Sequence, residues 1–263
     1  MYRPGPVDLR MAAAVWTRNL VNYRHTWKRN IFPNFFEPVV FLVGMGLGLG
    51  SYLSGGVEGQ VYLVYLAPGL MAANAMNGAS LEVTWNMFVK MNMHRLYDAY
   101  LTTPCEVEDI GFGELLWSTT RALIYGVGFL VVVLALQLLG YEILRSWTAL
   151  LLPLALALTG WTFGLIGQLY TATIRVIDLY SYYYSLFLTP LFLFSDVFFP
   201  VSRLPAGAEI ASLTPLYHCV RLVRACCTGE LGGACLVSLG YLVALSLVLM
   251  VVVPRRLRAR LLG

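Results

Sequence analysis

Six apolar stretches of membrane-spanning length run through this chain, and they constrain its fold more than any other feature. They cover about residues 35–53, 61–82, 115–139, 147–171, 180–200 and 234–253. A helix rises 1.5 Å per residue, so about 20 apolar residues cross a bilayer core. The second and fifth stretches are interrupted by proline and polar residues. Only 12% of the 263 residues are charged, against about 25% in soluble domains, and mean hydropathy is +0.70. The expectation is an all-α integral membrane protein: a single bundle of six transmembrane helices with an interfacial helix before it.

Orientation follows from lysine and arginine in the flanks. Arg3, Arg10, Arg18, Arg24, Lys28 and Arg29 precede the first span. Lys90, Arg95 and Arg121 lie between or just inside spans two and three, Arg175 between four and five, and Arg255, Arg256, Arg258 and Arg260 after six. The opposite side holds Arg145, Arg203, Arg221 and Arg224. Both termini are therefore expected in the cytoplasm. The start of the chain lacks the apolar core and cleavage site of a secretory signal. In residues 1–34, Val7, Met11, Val15, Leu20 and Trp27 alternate with basic residues at helical spacing. That pattern fits an amphipathic helix in the headgroup zone, with a solvated basic tail as the alternative. The net charge of +4 calls for no nucleic acid.

Gly44 with Gly48, and Gly46 with Gly50, form two interlaced small-residue pairs in span one, which favour close helix packing. No GxxxxGK[ST] phosphate loop occurs, nor any cytoplasmic segment large enough for a nucleotide domain. If transport is powered by ATP, the motor, with its Mg, must be another polypeptide, and no cofactor is expected on this chain. The five cysteines show no CxxC spacing. They read as apolar fillers, with a disulfide or metal site as the alternative.

Residues 83–114 form the longest cytoplasmic link. A helix is expected from Thr84 to Leu101, stopped before Pro104. Its apolar residues Phe88, Met91, Leu96 and Tyr100 sit apart from Lys90, His94, Arg95 and Asp98. Such a helix can anchor at the interface or serve as a handle for a cytoplasmic partner. Span five opens with Tyr180, Tyr182, Tyr183 and Tyr184, which suit a headgroup belt or a stacking surface for sugars. Sixteen residues on, about 24 Å along the axis, Asp196 falls near the outer edge of the hydrocarbon. Residues 201–232 then read as two short half-apolar helices hinged at Gly207 and Thr214-Pro215. They form a re-entrant hairpin on the outer side, tolerated only against protein or a water-filled cavity. Its second helix is expected over Pro215–Cys227, with Thr214 as N-cap and Gly229 at its end.

Several pieces resemble the ABC-2 type exporter permeases, above all their NodJ branch. They are Thr189-Pro190, Phe194-Ser195, Phe198-Phe199-Pro200, Leu204-Pro205, Pro215-Leu216-Tyr217-His218, Arg224 and Gly229, with Thr103-Pro104 and Gly113-Glu114-Leu115-Leu116-Trp117 in the link. The resemblance runs in order over nearly the whole chain. One departure is Asp196, where the family carries a small residue, commonly Gly; pairing with Arg203, Arg221 or Arg224 is expected to accommodate it.

The resemblance implies a homodimer of six-span subunits gripped by two copies of an ABC ATP-binding subunit in a bacterial inner membrane. The cargo it implies is a lipid-linked oligosaccharide or polysaccharide. By that analogy Phe88, Met91, His94, Arg95 and Tyr97 contact the ATPase, flanked by Glu106 to Asp109. Asn74, Asn77, Glu82, Thr119, Thr120 and Arg121, with Tyr180, Tyr183 and Tyr184, are candidates for the pathway or for packing. Asp196, Phe198, Tyr217, His218, Arg221 and Arg224 are the candidate external gate. Three other readings remain. One is export of drugs or hydrophobic small molecules. Another is an intramembrane enzyme, which the three histidines and the lack of any nucleophile–base arrangement disfavour. The last is an ion-coupled transporter, which should show internal repeats.

Overall fold

The computed structural model describes residues 7–53, 56–203, 205 and 207–263, and the side chains of residues 29–35 fall outside that description. Arg3, the Arg29 side chain and Leu204 therefore lie outside the described residues. Those described form helices joined by loops, without a strand; one isolated bridge, Val57 to Gln60, closes a tight turn.

Helix α1 (Leu9–Val43) continues through a π-helical turn (Gly44–Gly48) into a 3-10 turn (Leu49–Tyr52). The expected interfacial helix and first span are thus one helix. Its amphipathic face is not left wholly to lipid. Ala12 and Val15 pack against the helix Val107–Leu138, where a Cβ on Gly113 would stand 2.7 Å from the Ala12 carbonyl oxygen. Leu9, Val21 and Trp27 stay exposed. The interlaced glycines divide their work. Gly46 and Gly50 meet Leu63 and Tyr62, while nothing lies within 4 Å of a Cβ on Gly44 or Gly48.

Helix α2 (Tyr62–Leu81) runs unbroken through Pro68 and is buried along almost its full length. Two π-helical stretches, Glu82–Asn86 and Val89–Met93, extend it into the link. The single link helix expected from Thr84 to Leu101 is instead broken at His94 and Arg95, the latter left-handed at φ 47°. Helix α3 (Leu96–Leu101) follows, then α4 (Val107–Leu138).

Helix α4 starts eight residues earlier than the apolar run, because Glu106 and Asp109 build a capping box that satisfies its first amides. Asp109 is shared: one oxygen accepts the Glu106 N–H at 2.9 Å and the other the Asp8 N–H at 2.7 Å, just ahead of α1.

Helix α5 (Leu152–Thr173) is led in by a 3-10 turn, Trp147–Leu151. The fifth apolar run folds as α6 (Tyr180–Tyr182), a π-helical stretch (Tyr183–Leu188) and α7 (Thr189–Phe194). Helices α8 (Gly207–Ser212) and α9 (Pro215–Thr228) occupy the 201–232 segment, and α10 (Gly233–Leu261) closes the chain. Thr214 and Gly229 stand at the ends of α9 as expected, Gly229 left-handed at φ 90°. Among the described residues, three segments are long and apolar enough to cross a membrane: Val107–Leu138, Trp147–Thr173 and Gly233–Leu261. The apolar part of α1, Phe36–Tyr52, is shorter.

The main core gathers α2, α4, α5, α7 and α9. A second, smaller core holds the link: Met91, Tyr97, Cys105, Val107 and Ile110 pack with Val15, Val83, Met87, Ala172 and Leu257. All five cysteines are free thiols, and all but Cys235 are buried. Burial and the Asp109 carboxylate push the Cys105 thiol up.

Candidate functional site

Three polar constellations interrupt this apolar bundle. The first is a cavity of about 300 Å³ between α1, α2 and the 183–194 segment. Glu37, Asn74, Asn77, Tyr184 and Thr189 supply polar groups, and Phe41, Leu70 and Phe192 apolar walls. Asn77 is open to it. The Asn74 amide donates to the Tyr125 carbonyl at 3.1 Å, which ties it to α4. Of the tyrosines proposed to line a path, Tyr184 alone reaches this cavity. Tyr180 and Tyr183 are interior. The Tyr180 hydroxyl donates to Thr171 at 3.0 Å, and the Tyr183 hydroxyl lies 3.4 Å from that of Ser80. Tyr184 meets Thr84 at 2.8 Å. Tyr180 and Tyr183 thus pin the fifth apolar segment to α2 and α5. Tyr182 is the exposed member.

A charge cluster lies where the π-helical end of α2 meets α4. Lys90 Nζ donates to Glu82 Oε1 and to Glu114 Oε2, both at 2.8 Å. Glu82 also accepts from Asn86 at 2.9 Å and faces Arg121 Nε at 3.5 Å. The Arg121 guanidinium is sandwiched between the Tyr23 and Tyr125 rings, 4.4 and 4.7 Å from their centroids, and donates to the Tyr125 hydroxyl. All four charged side chains are buried. Lys90, set apart from the apolar residues of the link by its spacing, is therefore buried in the bundle, and Arg121 does not join Asn77. Thr119 and Thr120 donate to backbone carbonyls of α4 one turn back, and Thr120 also accepts from Trp16, which is packing.

The link residues separate by burial. Phe88 packs edge-on to Tyr180 with ring centroids 5.4 Å apart, and Met91 and Tyr97 lie in the smaller core. His94 and Arg95 are exposed, beside exposed Met93. The apolar candidates thus hold the link in place, while His94 and Arg95 at its tip face outward.

The third constellation is at the opposite end of α2. Asp196 sits at φ 65°, a region that favours glycine and that aspartate tolerates better than most residues. This explains why glycine is common there in the resembling family. Its carboxylate pairs with Arg224, accepts from the Tyr65 hydroxyl at 3.1 Å and caps the Val201 N–H at 3.0 Å. Arg224 also donates to the Asp196 carbonyl at 2.8 Å and stacks 4.2 Å from the Tyr65 ring centroid. Of the three arginines considered, Arg224 is the partner.

A cavity of about 440 Å³ brings Asp196, Tyr217, Arg221 and Arg224 together with Glu58, Arg145 and Glu230. Phe198 and His218 do not join it. Phe198 packs on Phe192 and Phe41, and His218 bridges Ser238 at 3.1 Å and the Ser212 carbonyl at 2.8 Å. The loop seats closely on α2 because residue 69 is glycine; a Cβ there would stand 2.9 Å from the Val197 Cα.

The ABC-2 type transporter family model matches residues 12–227, a span that takes in the first two constellations and, of the third, all but Thr228, Glu230, Ala234 and Cys235 at its edge. The chain belongs to the ABC-2 type transporter family. Nodulation protein J of Rhizobium leguminosarum bv. viciae is 35% identical over 94% of this chain and 94% of its own length. Nodulation protein J of Neorhizobium galegae is 31% identical over 92% of this chain and 94% of its own. Inner membrane transport permease YadH of Escherichia coli (strain K12) is 24% identical over 79% and 78%. As an ABC-2 protein with membrane-length apolar helices, the chain is the membrane permease of an ABC exporter. ABC-2 permeases are transport components, not catalysts, and work with ABC ATP-binding subunits.

Lys90, Glu114, Tyr23 and Asn19 were missed as functional candidates. A carboxylate at the border of an apolar run, as at Glu114, was the available signal.

Proposed function

We propose that this chain exports a lipid-linked oligosaccharide or polysaccharide across the bacterial inner membrane as one half of a homodimer. Two copies of an ATP-binding subunit, carrying ATP and Mg, drive it. The observation that supports the cargo class is the mixed lining of the α1–α2 cavity. Amides and a carboxylate at Asn74, Asn77 and Glu37 face aromatic walls at Phe41, Tyr184 and Phe192, the pairing a sugar needs for its hydroxyls and its ring face. A drug-like apolar cargo needs no such amides. The relatives named for nodulation favour the same reading.

In this reading six spans place both termini inside and α8–α9 outside as a re-entrant lid, with Asp196 and Arg224 as its latch. The ATPase touches the 83–114 link at His94 and Arg95, and Phe88, Met91 and Tyr97 carry the movement into the bundle. Asn77→Leu, reconstituted with its ATP-binding subunit in proteoliposomes, tests the cargo assignment. Glycolipid export falls about fivefold, the value of one hydrogen bond of about 1 kcal/mol, while export of an apolar dye does not. Unchanged glycolipid export refutes the assignment.

A further inference from the structure

Beside the charge cluster lies a second cavity, of about 640 Å³, walled by α1, the π-helical end of α2 and α4. Arg18, Asn19, Tyr23, Asn86, Lys90 and Arg121 contribute to its lining. Four buried donor atoms of these residues lack a hydrogen-bond acceptor: Arg121 Nε and Nη1, Asn19 Nδ2 and the Tyr23 hydroxyl. Arg121 is 2% exposed and Asn19 3%, so bulk solvent does not reach them. Buried polar groups are ordinarily matched, and these unmatched donors, on α1 and α4, form a receptor for an acceptor-rich group.

Charge narrows the group. Three cations line the cavity, Arg18, Lys90 and Arg121, against one carboxylate, Glu82. Glu82 already faces Lys90, Asn86 and Arg121. Glu114 offsets Lys90 from outside the lining, which leaves a positive excess. The tyrosine sandwich fixes the Arg121 guanidinium, so little ordering is needed on binding. The cavity holds far more than one oxyanion, and its α1 wall belongs to a helix whose exposed Leu9, Val21 and Trp27 suit a bilayer surface.

We propose that this cavity binds the phosphate of an anionic membrane lipid, with Arg121, Asn19 and Tyr23 as donors to its oxygens and Arg18 at the rim. Basic pockets between membrane helices recognise lipid headgroups by this chemistry. The site is separate from the α1–α2 cavity and holds whatever the cargo is.

The test titrates the purified full chain, in uncharged detergent, with three probes: dioctanoyl phosphatidylglycerol, dioctanoylglycerol and inorganic phosphate. Thermal midpoint and native mass spectrometry report binding. The phosphatidyl lipid raises the midpoint and stays bound in the mass spectrum, dioctanoylglycerol does neither, and inorganic phosphate binds at least about tenfold more weakly because it lacks the chains that α1 borders. Arg121→Gln also loosens the tyrosine sandwich, so the deciding variants are Tyr23→Phe and Asn19→Ala. Each weakens the phosphatidyl lipid about fivefold, as one lost hydrogen bond requires, with the unliganded midpoint near the parent's. Binding unchanged in both variants, or equal binding of dioctanoylglycerol, overturns the phosphate site. Inorganic phosphate binding as tightly as the lipid overturns the lipid as its source.

Discussion

Lys90→Met separates a structural ion cluster from a decorative one. Lys90 Nζ sits 2.8 Å from both Glu82 and Glu114, and the Glu114 side chain is fully buried. Methionine keeps the apolar stem and removes the charge. Glu82 then still has Asn86 and Arg121. Glu114 has no other ion-pair partner among the described residues, so it is left as a buried, uncompensated carboxylate. Stranding one partner of a buried pair costs about 3–5 kcal/mol. At roughly 2–4 °C per kcal/mol for a chain of this size, the midpoint falls by about 6–20 °C. The 6 tryptophans allow the transition to be followed by intrinsic fluorescence, since Trp117 is buried beside the cluster. Adding Glu114→Gln neutralises the stranded acid, so the double variant melts above Lys90→Met alone. A coupling of about 0.5–3 kcal/mol is the expected range for groups in contact. A single variant within about 2 °C of the parent, or a double variant that melts lower still, refutes the argument.

Two further outcomes follow from the opposite end of the bundle. Asp196→Ala is less stable than Asp196→Gly by about 1 kcal/mol: both lose the Arg224 pair, but only alanine suffers at φ 65°; equal midpoints in chemical denaturation would contradict this. Glu209→Cys, exposed on α8, reacts in intact spheroplasts with a membrane-impermeant maleimide if α8–α9 faces outward, and labelling only after lysis reverses the proposed sidedness.

The helices were legible where hydrophobicity alone decides. The runs at 115–139, 147–171 and 234–253 became the three membrane-length helices with ends shifted by capping and basic tails. The α9 boundaries were readable too, because proline and glycine act locally. The link was not. Lys90 looks like a surface residue until Glu114, 24 positions away, is brought against it, and no local pattern encodes that meeting. The tyrosines misled for a related reason. A tyrosine at a span end suits headgroups and interiors alike, and the choice lay with Ser80, Thr84 and Thr171 on other helices. Asp196 was conspicuous from sequence, yet its partner among three arginines needed the fold.

The double grip of Asp109 on the amides of Asp8 and Glu106 has a mechanical consequence. The roots of α1 and α4 are yoked at a single carboxylate, so under the proposed coupling a shove at the exposed His94–Arg95 tip does not tilt one of them alone. In that proposal both swing as a pair, and the surface that α1 shows the bilayer turns with α4.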